Sequence, residues 1–290
     1  MLSRRLLLLV ACIGFAAMTG CASLPTGKLQ ALKNSTQAVH QNTLDTYARI
    51  ERLQRRFVVT TLPDMPLTRD GFTPKIEGQS FDLVPALRLR ESAIEVLARY
   101  ANLLFALATK DYASDIDAAS QEMAGSLQNL RKTAGSAASD AESKGLNAIA
   151  AVVDSIGRVL VDYKRREALR RAMDLAQDDL EKLAALIARS NDRIRLAERI
   201  MADRILAHAN AARPAYGSRD RMIFDSDVAE FLAESEGIES SLDATSAAVA
   251  KLPSAHHEIR QVLDERATNL DALQSFVREA QRAGKFYRGL

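Results

Sequence analysis

With 290 residues, no tryptophan and two cysteines, the chain is long enough for one large or two modest domains and does not lean on disulfides. Its 39 Lys and Arg stand against 37 Asp and Glu, so it has no global electrostatic reason to hold a polyanion, and nucleic acid is not an expected partner. Glycine and proline are few and no stretch sustains β-branched alternation, which predicts an all-α fold.

At the N-terminus, Arg4 and Arg5 precede an apolar run from Leu6 to Met18. The run is shorter than the ~20 apolar residues of a membrane-crossing helix, and it fits the apolar stretch of a secretory signal behind a basic flank. The following "MTGC" sets the small residues Thr19 and Gly20 directly before Cys21. This arrangement resembles the bacterial lipobox, with Met18 standing where leucine is usual. The resemblance implies that a diacylglycerol is joined to the Cys21 thiol and that the chain is cut between Gly20 and Cys21. Residue 22 is Ala and not Asp, which by the same resemblance directs the protein to the outer membrane, facing the periplasm. Residues 1–20 are then a signal peptide, 21–27 a lipidated leash, and 28–290 a periplasmic helical domain. Loss of Cys12 with the signal leaves no thiol apart from Cys21.

The first helix is predicted over about 28–60 as a heptad pattern. Leu29, Thr36, Thr43, Ile50 and Phe57 form one set of core positions; Leu32, Val39, Thr46, Leu53 and Thr60 form the other. The stretch 61–80 carries Pro63, Pro66, Pro74, Gly71 and Gly78, so no helix is expected there. It also carries Met65, Leu67, Phe72 and Ile76, apolar residues that a purely solvated linker would not need; they are the candidate partner-binding loop.

Two further helices are expected at about 82–109 (Leu87, Ile94, Leu97, Ala101, Leu104) and 114–134 (Ile116, Met123, Leu127, Leu130). Ser114 is a candidate N-cap for the second of them. After a small, polar stretch with capping-box spacing at Ser139 and Glu142, a long helix is predicted over about 146–210. Its stripe runs Leu146, Ile149, Val153, Ile156, Leu160, Tyr163, then Leu169, Met173, Ala176, Leu180, Leu183, Ile187, Ile194, Ala197 and Met201. The register shifts by about one residue near 164–168, which implies a kink, a stammer or a short break. Pro214 and Gly217 mark a break over 212–227. The next helix starts near Asp227 and Glu230, runs through Phe231, Ile238, Leu242, Val249 and Leu252, and ends at Pro253. A last one spans about 255–283 with Ile259, Leu263, Leu270, Leu273 and Val277. The expected architecture is an elongated antiparallel bundle of about six helices.

Little in the sequence points to catalysis. Nucleophile-elbow, P-loop, dinucleotide and zincin motifs are missing, as are the Glu-x-x-His pairs of di-iron bundles. His40 sits beside the first seam and His208 near the end of the long helix. His256 and His257 diverge by about 100° on a helix and do not suit one metal, so surface roles are expected for them. Asp225 and Asp227 read as helix-start residues and not as an acid–base pair. No catalytic residue, metal site or cofactor is predicted.

These expectations converge on a lipoprotein held in the outer membrane by acyl chains and acting without catalysis, as an adaptor or scaffold for an envelope protein partner. A rival reading is a small-molecule or ion-binding bundle, with Thr36, Thr43 and Thr46 lining a dry cavity. An enzyme would instead need titratable residues converging in a cleft.

Overall fold

The computed structural model describes residues 24–61, 75–76, 79–80, 83–109, 113–137, 165–264 and 269–285. Among these residues the architecture is all-α. Six helices are present: α1 (Thr26–Thr61), α2 (Val84–Thr109), α3 (Ala113–Ala137), α4 (Arg165–Ala212), α5 (Ser218–Leu263) and α6 (Asp271–Lys285). A 3₁₀ turn, Arg213–Ala215, joins α4 to α5. Between α1 and α2 a two-residue antiparallel ladder pairs Lys75 with Ser80 and Ile76 with Gln79.

The heptad pattern of α1 is what the bundle uses. All its predicted core positions are buried except Thr60, which is half-buried. The predicted stripes of α2 and α4 are buried throughout their described lengths. Each fully buried Leu, Ile or Phe contributes about 1.5–3 kcal/mol of apolar transfer, so these stripes fix which faces meet.

Packing is antiparallel between α4 and α5, as the cross-helix pairs Asn191–Ser246, Arg195–Asp243 and Arg213–Asp225 show. Helix α1 runs parallel to α4 and antiparallel to α5, with Tyr47 on Asn191 and Thr46 on Ser241. At 1.5 Å per residue the 48 residues of α4 and the 46 of α5 each reach roughly 70 Å, and these two helices set the length of the described part.

The interior is two apolar cores in series. The proximal core draws on all six helices, from Leu29 and Val39 of α1 through Leu104 of α2, Met123 of α3, Ile187 of α4 and Ile259 of α5 to Phe276 of α6. The distal core is built by α1, α4 and α5 with the first turns of α2, around Ile50, Phe57, Leu87, Met201, Phe231 and Ile238. Between them lies a buried polar belt. Asn42 donates to Ser241 Oγ (3.1 Å) and Thr245 Oγ1 (3.2 Å), and the hydroxyls of Thr46 and Ser241 bond at 2.6 Å. Tyr47 Oη donates to Asn191 Oδ1 (3.1 Å), and Asn191 donates onward to Ser246 Oγ (3.0 Å). Buried polar groups that answer one another in this way reward a single register, because a slip would leave them unpaired.

Four boundaries differ from the sequence expectation. Helix α5 does not end at Pro253 but continues ten residues further, to Leu263. A proline inside a helix costs about 3 kcal/mol, and tertiary packing offsets it here: Val249, Leu252, Ala255 and Ile259 on both sides of the ring are buried in the proximal core. The chain turns instead between Asp264 and Asp271. Glu258 of α5 caps α6 across this turn by accepting the N–H groups of Ala272 and Leu273, both at 2.9 Å. Arg166 of α4 donates to the terminal carbonyl of α5 at Leu263 (2.6 Å). Second, α5 begins at Ser218, so Asp225 and Asp227 lie within it and do not start it. Third, Ser114 lies inside α3 and does not cap it. Fourth, α1 begins at Thr26, two residues before the expected start, and Leu24 packs against the proximal core. The long helix is continuous over Arg165–Ala212; its predicted part over 146–164 and the Ser139–Glu142 pair lie outside the described residues.

Candidate functional site

Of the residues singled out in the sequence, Gly20, Cys21, Met65, Leu67 and Phe72 lie outside the described residues, and Ile76 is described only as backbone in the short ladder. The loop that carries Met65 to Ile76 is nevertheless rooted at a definite place. It leaves from Thr61, just beyond Phe57 and Val58 of the distal core, and returns at Leu83, which packs on that core. The Leu83 N–H donates to the buried Gln54 Oε1 at 3.2 Å.

The core threonines are buried and bonded within their own helix. Thr36, Thr43 and Thr46 each donate to the carbonyl four residues back in α1, at 3.0, 2.8 and 2.8 Å. Their hydroxyl protons are thereby used within the helix.

His256 corrects the expectation of a surface histidine: it is wholly buried. The amide of Gln177 is oriented by donating to Glu181 Oε1 (2.7 Å) and towards the carbonyl of Pro253 (3.4 Å). Its Oε1 therefore faces His256 Nδ1 at 2.7 Å and accepts from it. That assigns the Nδ1–H tautomer and leaves Nε2 to accept from Tyr100 Oη, also at 2.7 Å. Burial holds this imidazole neutral, with its pKa down to about 3, and pushes the Tyr100 phenol well up. The chain Tyr100–His256–Gln177 ties α2, α5 and α4 together inside the proximal core. The neighbouring His257 is exposed and accepts from Gln261 (2.8 Å), so the two rings do face apart as their spacing implies.

Glu198 is the buried group that the sequence reading missed. It is 0 % exposed in the distal core, where Ser235 Oγ donates to one carboxyl oxygen at 2.5 Å and the other has no hydrogen-bond partner. Burial, assisted by Glu239 and Asp203, pushes it up to about 7. Its position was visible in principle. It lies four residues after Ile194 and three before Met201, on the apolar stripe itself.

Two places on the surface have the makings of a binding site. One is a solvent-open groove of about 390 Å³ between α4 and the end of α5, lined by Met173, Asp178, His257 and Gln261 among others. Its cation is already engaged: Arg260 pairs with Asp174 in a fork (2.5 and 2.9 Å) and with Asp264 (2.8 Å). The other is the α4–α5 turn at the distal end. Tyr216, Met222 and Ile223 are exposed there, Met222 to 70 % and Ile223 to 54 %. The turn is nonetheless well built. Arg213 grips Asp225 with two bonds of 2.6 Å, Arg221 donates to the Tyr216 carbonyl at 2.9 Å, and Tyr216 stacks on Phe224 with centroids 4.7 Å apart. Asp225 is thus a clamp for the turn, and Arg213 and Arg221 hold its carboxyl below the usual range.

Among the described residues, no group of three or more His, Cys, Asp or Glu is placed to hold a metal, and no helix is long and apolar enough to cross a membrane. No protein-family model, curated protein or solved structure matches the chain.

Proposed function

We propose that the chain is an outer-membrane lipoprotein, acylated on Cys21, whose helical domain works in the periplasm without catalysis, as an adaptor or scaffold for another envelope protein. The reading rests on the signal-like N-terminus and on one structural observation: apolar side chains are exposed on an ordered surface at the end opposite the N-terminus. Leu24 docks on the proximal core, and Tyr216, Met222 and Ile223 cap the distal end roughly 70 Å away. At most ~17 Å of extended chain links Cys21 to Thr26, so acyl chains on Cys21 would hold the proximal end close to the bilayer. The loop from Met65 to Ile76, rooted at the distal core, is the proposed contact for the protein partner.

Mass spectrometry of the N-terminal peptide, on protein taken from the cell envelope, tests the anchor. The expected product begins at Cys21 and carries acyl groups, and it incorporates a palmitate analogue that Cys21→Ser abolishes. A chain that begins elsewhere with a free Cys21 would sink the proposal.

A further inference from the structure

We propose that the outward face of α4 in the distal half is a docking surface for a second copy of this chain, met antiparallel about a two-fold axis at Glu198. The inference goes beyond the anchored-adaptor reading and does not depend on it, because it rests on the residues of one helix. Leu196 and Ile200 stand one turn apart on α4, opposite the buried Ile194, Glu198, Met201 and Ile205, and are 61 % and 40 % exposed. Exposed Arg189, Arg193, Asp203 and Ala207 continue their line in both directions. The positions 189, 193, 196, 200, 203 and 207 alternate steps of four and three, which is the spacing of a helix-pairing seam.

The occupant follows from the order of the charges along this face. In the run "DRIRLAERIMADR" (192–204) the outward charges read with opposite sign from the two ends. When two copies of α4 meet antiparallel with Glu198 on the axis, residues equidistant from it come level. Leu196 then meets Ile200, Arg193 meets Asp203 and Asp192 meets Arg204, each twice by symmetry. Each end of the seam gathers two arginines and two aspartates. Arg189 comes level with the exposed Ala207, where its stem can lie over the methyl group. Arg199, the remaining outward charge, is held by Glu239 at 2.8 Å and comes level with Ala197. Asp192 keeps its bond to Arg195 (2.8 Å), whereas Arg193, Asp203 and Arg204 make no hydrogen bond or salt bridge among the described residues. A parallel meeting would instead set each seam residue on its own copy, Arg189 on Arg189, Arg193 on Arg193 and Asp203 on Asp203, and so is disfavoured. Arg165, at the proximal end of α4, lies roughly 50 Å from the axis, so two copies anchored in one bilayer would lie along it with their anchors at opposite ends.

The chain from residue 21 on, with Cys21→Ser, carries no lipid and no other cysteine, and it keeps every described residue. Sedimentation equilibrium should show it as a reversible dimer, and Leu196→Lys should weaken the association at least about tenfold. Arg193→Asp and Asp203→Arg should each weaken it about fivefold, and the double variant should restore it, since the exchanged pair is again opposite in sign. All three positions are exposed, so helicity should not change. Arg193→Cys mixed with Asp203→Cys should be joined by a short thiol crosslinker, and neither variant should join to itself. A chain that stays monomeric up to about 1 mM would overturn the proposal. So would a dimer that Leu196→Lys leaves intact, or one in which Arg193→Cys links to Arg193→Cys, the mark of a parallel interface. Acylation of Cys21 in a chain that proves monomeric would leave the adaptor reading standing and remove only this inference.

Discussion

The two cores of this bundle differ in thickness and in the sign of their buried charge chemistry. The proximal core is closed on every side by six helices and hides a base, His256, whose two ring nitrogens are both bonded. Among the described residues the distal core rests on three helices and the first turns of α2, and it hides an acid, Glu198, with one oxygen left without a partner. A fully satisfied polar group inside a thick core stiffens it, whereas a partly satisfied one inside a thin core lowers the cost of opening. One continuous pair of helices, α4 and α5, thus carries a fully bonded buried base on one side of the Asn42–Ser241–Thr245 belt and a partly bonded buried acid on the other, and the second side is expected to open at lower cost.

The severest way to separate the halves is to empty the distal one. Phe231→Ala removes a buried ring that also lies under Arg56, at an expected cost of about 3–5 kcal/mol. Hydrogen exchange should then quicken over 47–58 and 231–242 while amides of 94–107 stay protected. Equal loss of protection in both halves would mean that the belt does not divide them.

pH should move the halves in opposite directions. His256 titrates lower in the fold than its ordinary 6.5, so its contribution is complete above about 6.5 and is lost as pH falls towards about 3. Glu198 titrates higher than its ordinary 4.5, so its contribution is complete below about 4.5 and is lost as pH rises through about 7. Each group acts within its window with a slope of about 1.4 kcal/mol per pH unit. Exchange rates measured in the two halves across pH 4–8 should cross, and Glu198→Gln should flatten the distal profile alone.

The belt comes next. Asn42→Leu leaves the Ser241 and Thr245 hydroxyls without this donor and should cost about 1–3 kcal/mol, read as a lower denaturant midpoint. If the midpoint held, the belt would not matter for register. Smallest of all is Arg213→Ala, which breaks an exposed clamp and should leave the midpoint unchanged while raising exchange at 216–225.

Most of this framework was legible in the chain, because helical periodicity survives packing. The α1 heptads from Leu29 to Phe57 and the α4 stripe from Leu169 to Met201 name core residues correctly. Local punctuation misled where tertiary contacts decide. Pro253 reads as a stop and is overridden by buried neighbours on both sides. Phe276 and not Val277 is the deeper aromatic or aliphatic anchor of α6. The pair His256–His257 gives no hint of which ring is buried until Tyr100 and Gln177 are placed. Residues 212–227 read as one break, yet only the stretch from Arg213 to Gly217 interrupts the helices, and the exposed tip follows from the helical course of 218–227. Glu198 and Asn191 could have been flagged, since each falls within an apolar stripe where a polar residue needs a reason.

The adaptor account stands or falls on which end of the molecule meets its protein partner. Photo-crosslinking in living cells, with probes at Phe72 and at the exposed proximal residue Lys251, tests that most directly. The account predicts a discrete adduct with one envelope protein from Phe72 and none from Lys251. An adduct from Lys251 alone, or none from either probe in a protein that is expressed and acylated, would contradict it.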